Sequence, residues 1–156
     1  MVVDANGKPV QCTNKTNVGN ERLAKDICGI LSRKRFKPAT LRDGQKVYAI
    51  LDTFLTMFLP DTDEGRKIMS LRMAPDAELQ VTKLPDGSSP EISIILAYDA
   101  SGKITDCGPA NREKDLKMAD VACSQRILFD HTIQKDPSGQ PVAYVTQKRI
   151  RFTTTS

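Results

Sequence analysis

Alternating apolar and polar positions predict the extended segments of this chain. The clearest run is 142–152, where large apolar residues stand at even-numbered positions and therefore share one face of a strand. That face holds Val142, Tyr144, Ile150 and Phe152. Apolar runs also predict strands over 47–58 and 92–98, each next to a turn that contains glycine.

Apolar residues at helical spacing predict two longer helices. From Glu21 to about Lys34 the apolar positions are three or four residues apart, as on one face of a helix, and Asn20 is a suitable N-cap. This face comprises Leu23, Ile27, Ile30 and Leu31. A counterpart helix is predicted from about Arg112 to Leu128.

The middle of the chain has a pattern of its own. Residues 60–75 begin with Asp61-Thr62-Asp63-Glu64 and continue with spaced apolar residues, which predicts a short capped helix that connects two halves. An added strand is predicted over 77–83, followed by a Pro85-Asp86-Gly87 turn.

The sequence repeats itself at an offset of 95 residues. Two hairpin-turn segments align at this offset, Asp4-Ala5-Asn6-Gly7-Lys8 with Asp99-Ala100-Ser101-Gly102-Lys103. The other aligned pairs are Cys12 with Cys107, Ala24 with Ala119, Cys28 with Cys123, Gly44 with Gly139, Gln45 with Gln140 and Val47 with Val142. Because one rule accounts for all four cysteines, we interpret the chain as an internal duplication.

The repeat predicts an α+β fold of two tandem modules, each with the order strand, strand, helix, strand. Each module is expected to be a small antiparallel sheet with one helix packed on it. The first spans 1–60 and its opening strand, Met1-Val2-Val3, is truncated; 61–75 is a helical linker and 76–156 the second module. The abrupt start leads us to expect a larger parent protein.

Three states of the four cysteines are considered. Disulfides Cys12–Cys28 and Cys107–Cys123 are favoured, because each would tie the end of a hairpin to a helix and contribute about 3 kcal/mol in the chain-entropy model. A four-cysteine zinc site is disfavoured, since the closely spaced cysteine pairs of such sites are missing. Reduced thiols packed in the core are the third alternative. Disulfides would place the protein in an oxidising compartment.

Composition and charge limit the class of partner. The formal charge is +4, with 10 basic and 5 acidic residues over 1–60 against 13 and 14 over 61–156. The surplus is carried by Arg33, Lys34, Arg35, Lys37 and Arg42, and solvated cations near a helix end explain it better than an anionic partner. Aromatic residues are 5% of the chain, so nucleic-acid binding is not expected.

Neither a membrane span nor a signal peptide is predicted. No stretch approaches the roughly 20 consecutive apolar residues of a spanning helix. Residues 1–8 lack the basic segment, apolar segment and cleavage site of an export signal, so such a signal has been removed or was never part of the chain. We therefore expect a domain that is not embedded in a membrane.

The first half carries a recognisable set of residues, namely residues 2–12, Leu23, Cys28, Arg35-Phe36-Lys37-Pro38-Ala39 and Asp43-Gly44-Gln45-Lys46-Val47. In these residues it resembles the C-terminal domain of TonB-like energy transducers of Gram-negative bacteria, and the resemblance covers nearly all of 1–60. The second half keeps the aspartate-glycine turn, both cysteines and Gly139-Gln140-Pro141-Val142. It has His131 and Ile133 where the first half has Phe36 and Pro38.

The resemblance implies a periplasmic β-β-α-β module that contacts the TonB box of an outer-membrane receptor by adding an extended peptide to its last strand. We expect this contact in the second half, where backbone bonds supply most of the affinity and Tyr144, Lys148 and Arg149 hold the peptide beside the strand. The expected peptide-binding residues are Val142, Tyr144, Thr146, Lys148 and Ile150, with Thr146 at an outward-bonding position. A longer parent would carry the family's inner-membrane anchor and spacer, and a homodimer is a further possibility.

No catalytic, cofactor or metal site is predicted. His131 is the single histidine and occupies the position of Phe36, which favours a packing role. Asp52-Thr53 begins like the loop of an aspartic protease, but Phe54 replaces the glycine. Two classes of function are left, a peptide-binding module and a structural or scaffolding domain of a larger exported protein. An open final strand would favour the first class, and edges paired between halves or chains the second.

Overall fold

The computed structural model describes residues 1–15, 21–53, 55, 60–85, 89–111, 116–129 and 132–154. Within these ranges the chain is a mixed α+β fold of eight strands and three short helices. All eight strands belong to a single open sheet.

In the described residues, the first half contains four strands and one helix. They are β1 (Val2–Val3), β2 (Pro9–Gln11), α1 (Glu21–Ser32), β3 (Ala39–Thr40) and β4 (Lys46–Ile50). A connecting helix and strand follow, α2 (Asp63–Ser70) and β5 (Ala77–Val81). The remaining elements are β6 (Glu91–Tyr98), β7 (Ile104–Pro109), α3 (Leu116–Ser124), a 3₁₀ turn (Arg126–Leu128) and β8 (Tyr144–Thr154).

The strand order of the sheet is β2-β1-β4-β8-β6-β7, with β3 paired to β4 and β5 paired to β8. Most neighbours are antiparallel, but β4 and β5 both run parallel to β8. The longest ladder joins β6 to β8 over eight residue pairs, from Glu91 opposite Arg151 to Tyr98 opposite Tyr144. The last strand of the chain therefore lies in the middle of the sheet.

Two hairpin turns have matching geometry. Gly7 and Gly102 have φ values of 80° and 82°, a conformation in which a side chain is strained. In each turn an aspartate Oδ1 accepts two backbone N–H groups: Asp4 from Asn6 and Lys8, Asp99 from Ser101 and Lys103. The hydrogen bond from the Ser101 side chain, followed by that from the Lys103 amide, lowers the pKa of Asp99.

The main core lies between α3 and the face of the sheet formed by even-numbered residues of β6 and β8. Ile94, Leu96 and Ile150 have no exposed surface there, and Met118, Ala119 and Ala122 cover them from α3. Side chains from the other half join the same cluster, since Tyr48 and Ile50 of β4 pack against it. The alternation predicted over 142–152 is confirmed, because Tyr144, Ile150 and Phe152 are all buried.

Several predicted boundaries differ from those observed. The strand predicted over 47–58 ends at Ile50, and the helix predicted to reach Lys34 ends at Ser32. Ile30, predicted on the buried face of α1, is 54% exposed. The predicted cap of the connecting helix is confirmed: the Gly65 amide donates to Thr62 Oγ1 at 2.9 Å. Asn20 and residues 86–87 lie outside the described residues.

Both predicted disulfides are present. Cys12 joins Cys28 and Cys107 joins Cys123, each pair with a Cα–Cα distance of 5.7 Å and a sequence separation of 16. Each bridge ties the outer hairpin strand of its half to the helix that follows. The alternatives of a four-cysteine zinc site and of free thiols are therefore wrong.

Substitution of Ala119 by aspartate tests the packing of α3. Ala119 has no exposed surface, so a carboxylate there is buried without a partner, and we expect a loss of about 2 to 5 kcal/mol in the free energy of unfolding. Val121→Asp is the matched control, since Val121 is on the same helix and 41% exposed. Urea denaturation measures both variants. Equal losses would contradict the position of α3.

Candidate functional site at the outer edge of the central strand

The site expected from the sequence is the edge of β8 that faces away from β6. The register shows which backbone groups point there. The Phe152 amide donates to the Pro90 carbonyl at 2.7 Å, so even-numbered residues of β8 bond toward β6 and odd-numbered residues away from it. The backbone groups of Thr146 therefore point toward β6, and the prediction that Thr146 bonds outward is wrong. Proline substitution at Gln147 would probe the outer edge instead.

Three neighbours cover this outer edge. Residues 144–146 pair with residues 48–50 of β4, and residues 150–154 pair with β5. Between them, Asp76 makes a reciprocal contact with Arg149. The Asp76 amide donates to the Arg149 carbonyl at 2.8 Å, and the Arg149 amide donates to Asp76 Oδ2 at 2.7 Å. An extended peptide could pair with residues 150–154 on this side only after β5 has separated from β8.

Tyr144 and Ile150, two of the expected peptide-binding residues, contribute their side chains to the core. Tyr144 is 2% exposed, stacks on Tyr98 with ring centroids 4.6 Å apart, and donates its hydroxyl to the Thr132 carbonyl at 2.7 Å. Burial, with a smaller contribution from Tyr98, raises the pKa of Tyr144 to about 12. Ile150 has no exposed surface. Neither side chain is available to a peptide in this structure.

Thr146 and Val142 are also engaged within the fold. The Thr146 hydroxyl donates to the Ile50 carbonyl of β4 at 3.2 Å, which joins the two halves through a side chain. The Val142 amide donates to the Gln134 carbonyl at 2.9 Å, just before β8 begins. Contacts of these two residues therefore stabilise the position of β8.

Lys148 and Arg149 contact the segment that precedes β5. Lys148 Nζ and an Arg149 guanidinium nitrogen each lie 3.7 Å from an Asp76 carboxylate oxygen. Arg149 Nε also donates to the Ala74 carbonyl at 3.3 Å. The two cations expected to hold a peptide thus hold an extended segment of the same chain.

Arg151 connects three strands on the face opposite α3. Its Nη1 lies 3.1 Å from Glu78 Oε1 on β5, and its Nη2 lies 2.7 Å from Glu91 Oε1 on β6. The hydrogen bond to Glu91 is the main cause that raises the pKa of the Arg151 guanidinium. With Asp76, Glu78 gives β5 a second acidic contact to β8.

A cavity of about 430 Å³ lies beside the start of β5. Met73 and Pro75 border it on the connector side, and Ser93, Asn111 and Arg149 border it on the sheet side. Its position next to the Asp76 contact makes it part of the same edge. Its lining combines apolar and polar groups.

Asp76 and Glu78 are the functional candidates that sequence reasoning missed. The sequence predicts the added strand but does not show that acidic residues beside it and on it contact cations of the last strand. A signal existed, because Asp76 and Glu78 are two positions apart, as are Arg149 and Arg151. Such spacing places partners on one side of paired strands.

The other sequence candidates do not converge on a site. Arg33, Lys34, Arg35 and Lys37 are exposed, and Arg42 Nε lies 2.6 Å from Asp106 Oδ2. Asp52 lies 2.8 Å from Lys15 Nζ, and this hydrogen bond is the main cause that lowers its pKa. His131 lies outside the described residues.

The described part of the chain contains neither a metal-binding cluster nor a membrane-spanning helix. No group of three or more histidine, cysteine, aspartate or glutamate residues there could hold a metal ion. No helix in the same ranges has both the length and the apolar character needed to cross a membrane.

Comparison with known proteins identifies no relative. No family model, curated protein or solved structure matches this chain.

Substitution of Asp76 by alanine tests the contact between the connector and β8. It removes the acceptor of the Arg149 amide and leaves two cations without their carboxylate, so we expect a loss of about 1.5 to 3 kcal/mol in unfolding free energy. Asp43→Ala is the control, because Asp43 accepts one backbone amide in an exposed turn. Hydrogen exchange should show faster exchange in β5 for Asp76→Ala alone. Equal effects of both variants would contradict a specific contact.

Proposed function

We propose that this chain is a non-catalytic structural domain of an exported protein, in which two related halves close each other's sheet edges. The observation that carries the proposal is the parallel pairing of β4 with β8, from Tyr48 opposite Tyr144 to Ile50 opposite Thr146. An unpaired strand edge is a site of unwanted association. Each half supplies the neighbour that the other half needs. By the criterion of open or paired edges, this arrangement favours a scaffolding role.

The proposal includes an internal duplication of two tandem TonB C-terminal-like modules. What supports it is that strand pairs recur at the offset of 95. Val2 lies opposite Ile50 and Gln11, and Ala97 lies opposite Val145 and Asp106. Val3 lies opposite Ala49, and Tyr98 lies opposite Tyr144. The order β2-β1-β4 is also the mirror of β8-β6-β7 under this equivalence.

Export is proposed from the cysteines. Two disulfides are stable in the periplasm or outside the cell and are rare in the cytosol. The resemblance of the first half to TonB-like transducers favours the periplasm.

A second candidate is the TonB-type peptide-binding module that the resemblance implies. The observation that favours it is β5, an extended segment that already pairs with the outer edge of β8 through Ile150–Thr154. A receptor peptide would have to take the place of β5. Both candidates use the same sheet, but only this one requires the edge to open.

Substitution of Ile50 by aspartate tests whether the two halves are one structural unit. Ile50 lies on β4 and packs against the core of the second half, so we expect both halves to lose stability, by about 2 kcal/mol or more. Thr40→Asp is the control, because Thr40 is exposed on β3 of the same half. Native-state hydrogen exchange at the amides of Val3 and Ile94 reports on the two halves separately. Unchanged protection of Ile94 would contradict the scaffold.

A further inference from the structure

Strand β5 differs from the rest of the sheet in its relation to the repeat. The ladders β1–β2 and β1–β4 have counterparts at the offset of 95 in β6–β7 and β6–β8, and the pairing of β3 with β4 corresponds to the bridge between Lys135 and Pro141. The ladder between β5 and β8 is an addition to this scheme. It occupies part of the edge on which the sequence predicts peptide binding.

The contacts of β5 are those by which a sheet edge recognises an extended peptide. Backbone pairing runs over five residues, from Ala77 opposite Ile150 to Val81 opposite Thr154. Alternate side chains face the core: Leu79 is 9% exposed, and Ala77 and Val81 pack against the same cluster. Pairing gives affinity in such complexes, and alternate side chains give specificity.

The intervening side chains of β5 carry the charge recognition. Glu78 contacts Arg151 at 3.1 Å, and Asp76 accepts the Arg149 amide at 2.7 Å. Gln80, the next residue on the side of Glu78, is exposed. Residues 76–81 thus present two acidic positions and three apolar positions to β8 in a fixed alternation.

The segments on both sides of β5 contain no helix or strand over residues 71–75 and 82–85. Departure of β5 therefore breaks its pairing with β8, the Asp76 contact and the burial of Leu79, but no other ladder of the sheet. The β6–β8 and β4–β8 ladders are separate from it.

We propose that β5 is a displaceable internal occupant of the β8 edge, and that the external ligand is an extended acidic peptide in parallel orientation. The ligand carries a carboxylate at the position of Asp76, an acidic residue at that of Glu78 and a large apolar residue at that of Leu79. This inference rests on the second candidate function. Because β5 is tethered, it competes at an effective concentration in the millimolar range.

The test measures binding of a fluorescent peptide with the sequence of residues 74–83 to the full-length disulfide-bonded chain. Leu79→Asp weakens the internal strand, so the variant should bind the peptide at least about tenfold more tightly than the unmodified chain. Gln80→Asp is the matched control and should bind like the unmodified chain. A peptide with aspartate at the position of Leu79 should not bind.

A second variant replaces the first if circular dichroism shows that Leu79→Asp is unfolded. Glu78→Arg places two cations together at Arg151, at a surface position, and should strengthen peptide binding by about threefold to fivefold. Gln80→Arg is its control. In both weakened variants, hydrogen exchange should show that the added peptide restores protection of the Arg151 and Thr153 amides.

Three outcomes would overturn the inference. The first is that the folded variants bind the peptide no better than their controls. The second is that peptides with reversed charges, or with aspartate at the position of Leu79, bind as well as the peptide of residues 74–83. The third is that light scattering shows a concentration-dependent dimer that exchanges β5, which would assign the edge to a second copy. The scaffold proposal survives any of these results, because its test reads the pairing of β4 with β8 without a peptide.

Discussion

The backbone of β8 sets the constraint on which the rest of the sheet depends. This strand has eleven residues, and each side of it presents N–H and C=O groups that need partners. Strand β6 satisfies one side over eight residue pairs. On the other side β4 covers the beginning, β5 covers the end, and Asp76 covers the residue between them. A strand of this length thus pairs with strands from both halves and from the segment between them.

The two faces of β8 differ in chemistry: one is apolar and buried, and the other carries charged side chains. The even-numbered residues Tyr144, Ile150 and Phe152 are buried in the cluster that α3 covers, where loss of apolar contact has the largest energetic effect. Odd-numbered residues place Arg149 and Arg151 on the opposite face. Because exposed ion pairs contribute only about 0 to 1 kcal/mol each, the apolar face holds the fold together and the ion pairs of the charged face add little to its stability.

Local signals predicted the elements well and their assembly poorly. The alternation over 142–152, the capped connecting helix, the turns at Gly7 and Gly102 and both cysteine pairs all depend on residues close in sequence, and the structure contains all of them. The parallel pairing of β4 with β8 depends on contacts about 95 residues apart, for which periodicity carries no information. Two separate small sheets and one shared sheet have the same local pattern.

The candidate site shows the same limit more sharply. The sequence pattern places Tyr144 and Ile150 on one face and predicts a helix packed on the sheet, but it does not show which face that helix covers. In the structure α3 covers this face. Alternate side chains of a strand share one face, so those that fill the core on that face cannot also contact a ligand there. The sequence proposes the edge of the last strand as the site, but it predicts β5, which pairs with part of that edge, only as an added strand. The contacts of Asp76 and Glu78 with β8 depend on the register between β5 and β8, which the local pattern does not contain.

The position of the disulfides explains how a sheet with such different edges is held. Strands β2 and β7 are at the two ends of the main strand order, so each has one neighbouring strand there and half of the backbone pairing of a central strand. Cys12 and Cys107 attach these ends covalently to their helices, and each closed loop contributes about 3 kcal/mol in the chain-entropy model. Strand β5 has no such bridge and is held by pairing, Leu79 and two acidic contacts. The covalent constraints therefore secure the two end strands, whereas β5 beside the central strand is held by noncovalent contacts alone.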